Sequence, residues 1–297
     1  MKVIPLPASL DYRSYDQLID VLDDVENGPV LFDGHRLRWV DPNGMVNLLA
    51  AGSVARQRSG ALPVLQLPEQ QDVQGYMARM GFFEGASEIF DVPGAPTRKS
   101  GQESDVLLEI TPITTNHDVH DVVDRVQRRA GAILSNTLHY PPTAVVQFSV
   151  ILSEVCQNII EHAAAAGWVA AQSYNWSKRL GRHVLVISVS DLGCGFRGSL
   201  ADEHSARFGD RWGDVTALEA AFIHGLTRFP DSGRGQGIQQ IRKQVRRWEG
   251  LISIRSGTAR IADVPDWIDS PPMETGLTEF PGAQINIILP ERLTNET

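Results

Sequence analysis

The stretch Phe148–Ala163, FSVILSEVCQNIIEHA, constrains this chain more than any other. It passes without Gly or Pro and repeats its apolar residues at Phe148, Leu152, Val155 and Ile159, the spacing of one buried helix face. Glu154, Asn158 and His162 recur every four residues. Each such step turns the helix by about 40°, so the three side chains fall within a sector of about 80°. That sector borders the apolar stripe, while Ser153, Gln157 and Glu161 lie further round on an ordinary solvated face. A Glu-Asn-His line at the edge of a buried face is where a helix forms the wall of a pocket, although each residue alone also fits a plain polar edge.

Composition narrows the chemistry. At 297 residues the chain is long enough for about two domains. With 42% hydrophobic and 21% charged residues it suits a soluble globular protein with a sizeable core. A net charge of −9 argues against a chain-wide grip on nucleic acid or an anionic membrane. Two cysteines, Cys156 and Cys194, are too few for a disulfide framework and have no metal-ligand spacing, so a reducing cytoplasmic setting is expected. The N-terminus lacks the apolar core of a signal peptide, and no run of about 18 apolar residues offers a membrane span.

Residues 1–92 read as a small α/β unit. Tyr15–Val25 has helical spacing, and Pro29–Phe32 is a short apolar strand after a Gly-Pro break. Asp41-Pro42-Asn43-Gly44 opens a second helix that Gly60 ends; LPVLQL is a strand, and Glu69–Met80 a third helix closed by Gly81. Strands alternating with helices predict parallel pairing. The order VLFDGHRLRWVDPNGMVNLLAAGSVARQRSGALPVLQLP, followed by a helix and MGFF, resembles the STAS domain of anti-anti-sigma factors. That family usually has Asp-Ser-Ser-Gly where this chain has Asp41-Pro42-Asn43-Gly44, and a partner kinase phosphorylates the serine. No hydroxyl stands at either middle position here, so the resemblance implies a domain that docks or senses without that phosphorylation. A small α/β dimerisation domain is the plainer reading. Asp91–Asp105, rich in Pro, Gly, Ser and charge, reads as a linker, with the boundary placed at 93–104.

The second half, 105–297, opens with the strand VLLEI and a helix over His117–Leu138, which Tyr140-Pro-Pro142 breaks. After the Phe148–Ala163 helix, HVLVISVS at 183–190 is a β-branched strand running into Asp191-Leu-Gly193-Cys-Gly195. About 35 residues of mixed character follow, with a helix around Thr216–Leu226. Ser232-Gly233-Arg234-Gly235-Gln-Gly237-Ile238 then opens a last helix that Gly250 ends, and LISIRS and AQINIILP close the chain as strands around a polar excursion at Gly257–Pro281.

Each motif has a physical reading. An Asp at a strand end can accept from an exocyclic amine such as adenine's, a charged hydrogen bond worth about 1.5–3 kcal/mol. Gly193 and Gly195 let the backbone approach a flat ring; a simple turn is the alternative. Gly233, Gly235 and Gly237 before a helix offer free N–H groups suited to phosphate oxygens, with Arg234 as a cation. This is neither a Walker A loop, since no Lys-Ser/Thr follows, nor a dinucleotide fingerprint; a flexible loop is the alternative. Asn158 is a neutral oxygen donor suited to Mg2+, Glu154 a candidate general base, and His162 a phosphate contact or helix cap. The run Arg242-Lys243 with Arg246-Arg247 reads as the solvated face of the last helix, or as a docking patch for an acidic partner.

In this order the motifs resemble the GHKL, or Bergerat, ATP-binding fold over residues 105–291, and LSEVCQNIIEHA is closest to the anti-sigma-factor serine kinases. The resemblance implies an α+β two-layer sandwich with a mixed sheet, beside the smaller STAS-like α/β domain. It implies ATP and Mg2+ as ligands: Asn158 on the metal, Asp191 on adenine, Gly193 and Gly195 around the base, Gly233, Gly235 and Gly237 on the phosphates, and Glu154 as the catalytic base. The family's last motif is often Gly-Thr; here it is Gly282-Ala283, and a hydroxyl contact is lost. No His-Glu-x-x-x-Pro phosphoacceptor helix precedes the domain, and a gyrase-like transducer has no room. The expected function is a serine/threonine protein kinase of the partner-switching type. Its expected partner is a STAS-domain protein or one of the sigma-factor class, and it has the possibility of a homodimer. The alternative is an ATP-dependent interaction switch in which a lid, Phe196–Ser232, orders without phosphotransfer.

Overall fold

The computed structural model describes residues 1–25, 28–96, 107–160, 165, 167–176, 180–227 and 237–293, without the side chains of 130–132. The chain is mixed α/β. Its first part runs β1 (Lys2–Pro5), β2 (Ser9–Leu10), α1 (Tyr15–Asp23), β3 (Val30–Asp33), β4 (Trp39–Val40), α2 (Pro42–Ser59), β5 (Val64–Gln66), α3 (Gln71–Arg79) and α4 (Phe82–Ala86). The helix–strand alternation gives the parallel pairing it predicts: β1-β3-β5 form one sheet, and β2-β4 a small second one. At the start of α2, the Asp41 carboxylate accepts from the Gly44 amide at 2.8 Å and Pro42 occupies the first turn. Gly60, at φ +71°, ends the helix. With Met45, Val46, Leu48, Leu49, Ala50 and Ala51 spread round its circumference, α2 is buried on nearly every side.

The second part runs β6 (Leu108–Ile113), α5 (Asn116–Ala132), α6 (Thr143–Asn158), β7 (Gly167–Asn175), β8 (His183–Asp191), α7 (Gly195–Phe208), α8 (Asp214–Phe222), α9 (Gly237–Arg247), β9 (Leu251–Asp263) and β10 (Met273–Pro290). One five-stranded sheet has the order β6-β7-β8-β10-β9. Every described pair in it is antiparallel, so the expected mixed sheet is not found. The reason is β7, which the sequence conceals as the small residues GWVAAQS. It forms a hairpin with β8 where the sequence reading placed no strand between α6 and 183–190.

Alternating residues of the sheet serve two cores. Leu185, Ile187, Val189, Ile252, Ile254, Ile285 and Ile287 face α5, α6, α8 and α9. On the opposite face Trp168, Ala170 and Phe280 share a core with α1, α2 and the rest of residues 1–92. The N-terminal unit is thus the second cover of the sheet, with α2 lying along β7 and β8. The excursion at Gly257–Pro281 is a continuation of β9 and β10 into one long hairpin, with register shifts between Thr275 and Phe280 and between Phe280 and Ala283. The region read as mixed after Asp191 begins with α7, which starts at Gly195 itself.

Candidate functional site

Asp191 is the last residue of β8 and is 7% exposed. Its Oδ1 accepts from the Gly193 amide at 2.8 Å, and the Ala283 amide also donates to the carboxylate. Burial pushes its pKa up to about 6, against the pull of those two amides. The turn that follows is built on glycine for steric reasons. Gly195 has φ +63°, and a Cβ there would stand 2.5 Å from Ser256 Oγ and 3.0 Å from the Gly282 carbonyl. Gly282 has φ +74°, and a Cβ there would overlap the Asp191 carbonyl. Gly193 and Gly195 therefore belong to the Asp191 turn as the sequence reading expects. Gly282, noted in the sequence only as half of the Gly282-Ala283 motif, is a further member whose contact with Asp191 the cross-strand neighbourhood supplies.

Over Phe148–Asn158 the helix reading holds as α6, which starts earlier, at Thr143, and passes into a π-type turn at 159–160; residues 161–163 lie outside the described residues. Ile159 lies on Gly167, where a Cβ would sit 2.7 Å from its Cγ2, and Gly167 is the ladder partner of Asp191. That contact brings the end of α6 to the same end of the sheet as Asp191. Glu154 meets the third motif directly: a Cβ on Gly237, the first residue of α9, would overlap Glu154 Oε2. A carboxylate at a helix N-terminus sits favourably in the helix dipole. Asn158 Nδ2 is buried without a hydrogen-bond partner. His162, Gly233, Arg234 and Gly235 lie outside the described residues.

For Mg2+, a fit rests on Asn158. Its Nδ2 is buried and unpartnered at the end of α6 nearest Asp191, and a rotation by half a turn exchanges that nitrogen for the neutral oxygen that Mg2+ takes. Among the described residues no group of three or more His, Cys, Asp or Glu side chains is placed to hold a metal ion. Cys156 is a core residue whose thiol burial pushes up to about 12, and Cys194 is exposed beside the start of α7.

The basic run is not a uniform solvated face. Arg242 donates to both oxygens of Asp263 at 2.6 and 2.9 Å and to the Phe222 carbonyl at 2.9 Å, and its guanidinium lies 4.5 Å from the Phe222 ring centroid. It binds α8, α9 and β9 together, whereas Lys243 and Arg247 are exposed. In the N-terminal unit, Asp41 and Asn43 are each 3% exposed, and burial raises the Asp41 pKa to about 7. No helix among the described residues is long and apolar enough to cross a membrane. Compared with models of known protein families and with curated proteins, the chain matches none.

Proposed function

We propose that this protein is an ATP-binding signalling regulator with a GHKL-type nucleotide site on its second half and a STAS-like unit on its first. The observation that carries this is Asp191: a carboxylate buried at a strand end, oriented by two backbone amides, in a turn where glycine is sterically required. In this reading Asp191 accepts from the exocyclic amine of adenine. Asn158 holds Mg2+, which supplies charge neutralisation at the phosphates. Glu154, on α6 against the start of α9, orients the acceptor hydroxyl and takes its proton. Gly237 and the glycines before it cradle phosphate oxygens. The reaction is transfer of the γ-phosphate to a serine or threonine of a protein partner of the STAS or sigma-factor class.

A second reading, an ATP-dependent interaction switch with little phosphotransfer, is favoured by one observation. The turn Asp41–Gly44 has no hydroxyl and is buried within the chain, so it offers no acceptor to its own second half. Incubation with labelled ATP, Mg2+ and STAS-domain proteins separates the two. Label on the partner supports the kinase; tight ATP binding with neither transfer nor phosphate release supports the switch. Asp191→Asn with undiminished ATP affinity would remove the nucleotide reading altogether.

A further inference from the structure

Three residues within four positions of β9, Arg255, Ser256 and Thr258, reach three separate parts of the molecule. Arg255 is 2% exposed; its Nε donates to Asp16 of α1 at 3.0 Å, its Nη1 to the Gly257 carbonyl at 3.1 Å and its Nη2 to the Thr278 carbonyl. The Ser256 hydroxyl donates to the Gly282 carbonyl at 2.9 Å and accepts from the Phe196 amide at 3.1 Å. The Thr258 amide and hydroxyl both donate to Asp214, the first residue of α8, at 3.0 and 2.9 Å. Successive side chains of a strand point to opposite faces. Arg255 therefore faces the N-terminal unit while Ser256 reaches the start of α7.

Ser256 bonds Phe196 and Gly282, and so ties together the segments that enclose Asp191. Its ladder partner is Ala283, whose amide donates to the Asp191 carboxylate. Its hydroxyl holds Gly282, which packs on the Asp191 carbonyl, and Phe196, which follows the turn containing Gly193 and Gly195. Phe196 N–H is in the first turn of α7, where helix geometry supplies no acceptor, and Gly282 lies in a register shift of the ladder. One hydroxyl satisfies both, and it stands on the strand position facing Ala283. Arg255, next along the strand, is held by the countercharge of Asp16, which also binds Arg260; Arg260 in turn pairs with Glu274 at 2.6 Å.

We propose that Ser256 is the positioning residue of the Asp191 turn, and that Asp16 of the N-terminal unit holds the strand bearing Ser256 in register through Arg255. The N-terminal unit is then part of the frame of the nucleotide site. This rests on the reading of Asp191 as the base-recognition residue only for its functional meaning; the geometry stands apart from it.

The test is amide hydrogen exchange by NMR on the ligand-free full chain, in wild type, Ser256→Ala and Asp16→Asn, with ATP dissociation constants measured beside it. Exchange of the Gly193 and Ala283 amides, which bond Asp191, is expected to quicken about tenfold in both variants while the β6–β7 ladder keeps its protection. ATP affinity is expected to fall in parallel. Unchanged exchange at Gly193 and Ala283 in Ser256→Ala overturns the positioning role. A response to Ser256→Ala without one to Asp16→Asn overturns the link to the N-terminal unit. Equal acceleration over the whole sheet indicates general loss of stability and overturns both. Should the wild type bind no ATP, the nucleotide reading fails, while the exchange data still decide the role of Ser256.

Discussion

Asp191 is held in two ways that oppose each other: burial favours its acid form, and the amides of Gly193 and Ala283 favour the carboxylate. Burial wins, and the sign of the pH effect follows. Between the ordinary value of 3.8 and about 6, the unfolded chain gives up this proton while the folded chain keeps it. Asp191 therefore makes the protein less stable as pH rises through that window, by an amount on the order of 2–3 kcal/mol. Urea unfolding across that range should show a falling component that Asp191→Asn abolishes, together with at least a tenfold loss of ATP affinity from the charged hydrogen bond. Gly282→Ala tests the turn from the other side. A Cβ there would overlap the Asp191 carbonyl at a left-handed φ of +74°. A loss of about 1–3 kcal/mol in urea unfolding, with weakened nucleotide binding, is expected. Asp191 and its two following glycines were legible because an Asp-x-Gly-x-Gly after a β-branched strand is local. Gly282 entered the sequence reading only through the family resemblance and Ser256 not at all, because only the β8–β10–β9 ladder brings residues about 60 to 90 positions away onto the turn.

Two helix starts carry the clearest predictions among the elements. At α9, Gly237→Ala would place a methyl into Glu154 Oε2, so Glu154 must leave its position. Phosphotransfer, or ATP hydrolysis if that is the activity, should fall by at least tenfold, with a smaller change in melting temperature, because the substitution favours the helix itself. At α2, Asp41→Ala removes the cap on Gly44 and should cost about 0.5–2 kcal/mol. Burial lifts the Asp41 pKa to about 7, so ionising it in the folded state is unfavourable. The native cap therefore contributes less as pH rises, and the penalty of Asp41→Ala should be larger near about pH 5.5 than near about pH 8.5. Guanidinium or urea melts at the two pH values read this directly. Most helices were legible from their spacing and glycine ends, as α2 and α6 illustrate. The short β1, β2, β4 and α4 of the first part were not read from the sequence, and in the second part the missed elements were β7 and α7. Gly167–Asn175 is small and mixed, without a clean alternation, and Gly195–Phe208 is a helix of weak amphipathicity whose start coincides with a glycine motif that reads as loop.

At the scale of the whole molecule, the sheet is covered on both faces, once by its own helices and once by residues 1–92. The second cover mixes apolar contacts such as Tyr15 on Phe280, 5.8 Å between ring centroids, with the Asp16–Arg255 and Asp16–Arg260 pairs. Expressed without residues 1–92, the remainder would expose Trp168, Ala170 and Phe280 and leave Arg255 without its countercharge. It should elute as aggregate on size exclusion, or unfold at a markedly lower temperature, where the full chain melts in a single transition. A soluble remainder with the full chain's melting temperature would show the two parts to be independent. The long β9–β10 hairpin fits this picture: its extra residues carry Arg260 to Asp16 and Thr278 to Asp20 of α1, with Glu274 bracing Arg260.

By itself the sequence determined the local elements and the candidate chemistry. Helical spacing placed Glu154 and Asn158 on one face, and a β-branched run ending in Asp191 put a carboxylate at a strand end, because such patterns act within a few residues. Only the tertiary structure decided that the sheet is antiparallel throughout its described pairs, that Glu154 meets Gly237, and that Ser256 and Gly282 close on Asp191. It also decided that the N-terminal unit and the sheet share one core. Those outcomes depend on strand order and on burial of two opposite sheet faces, and neither is encoded in any one stretch of the chain.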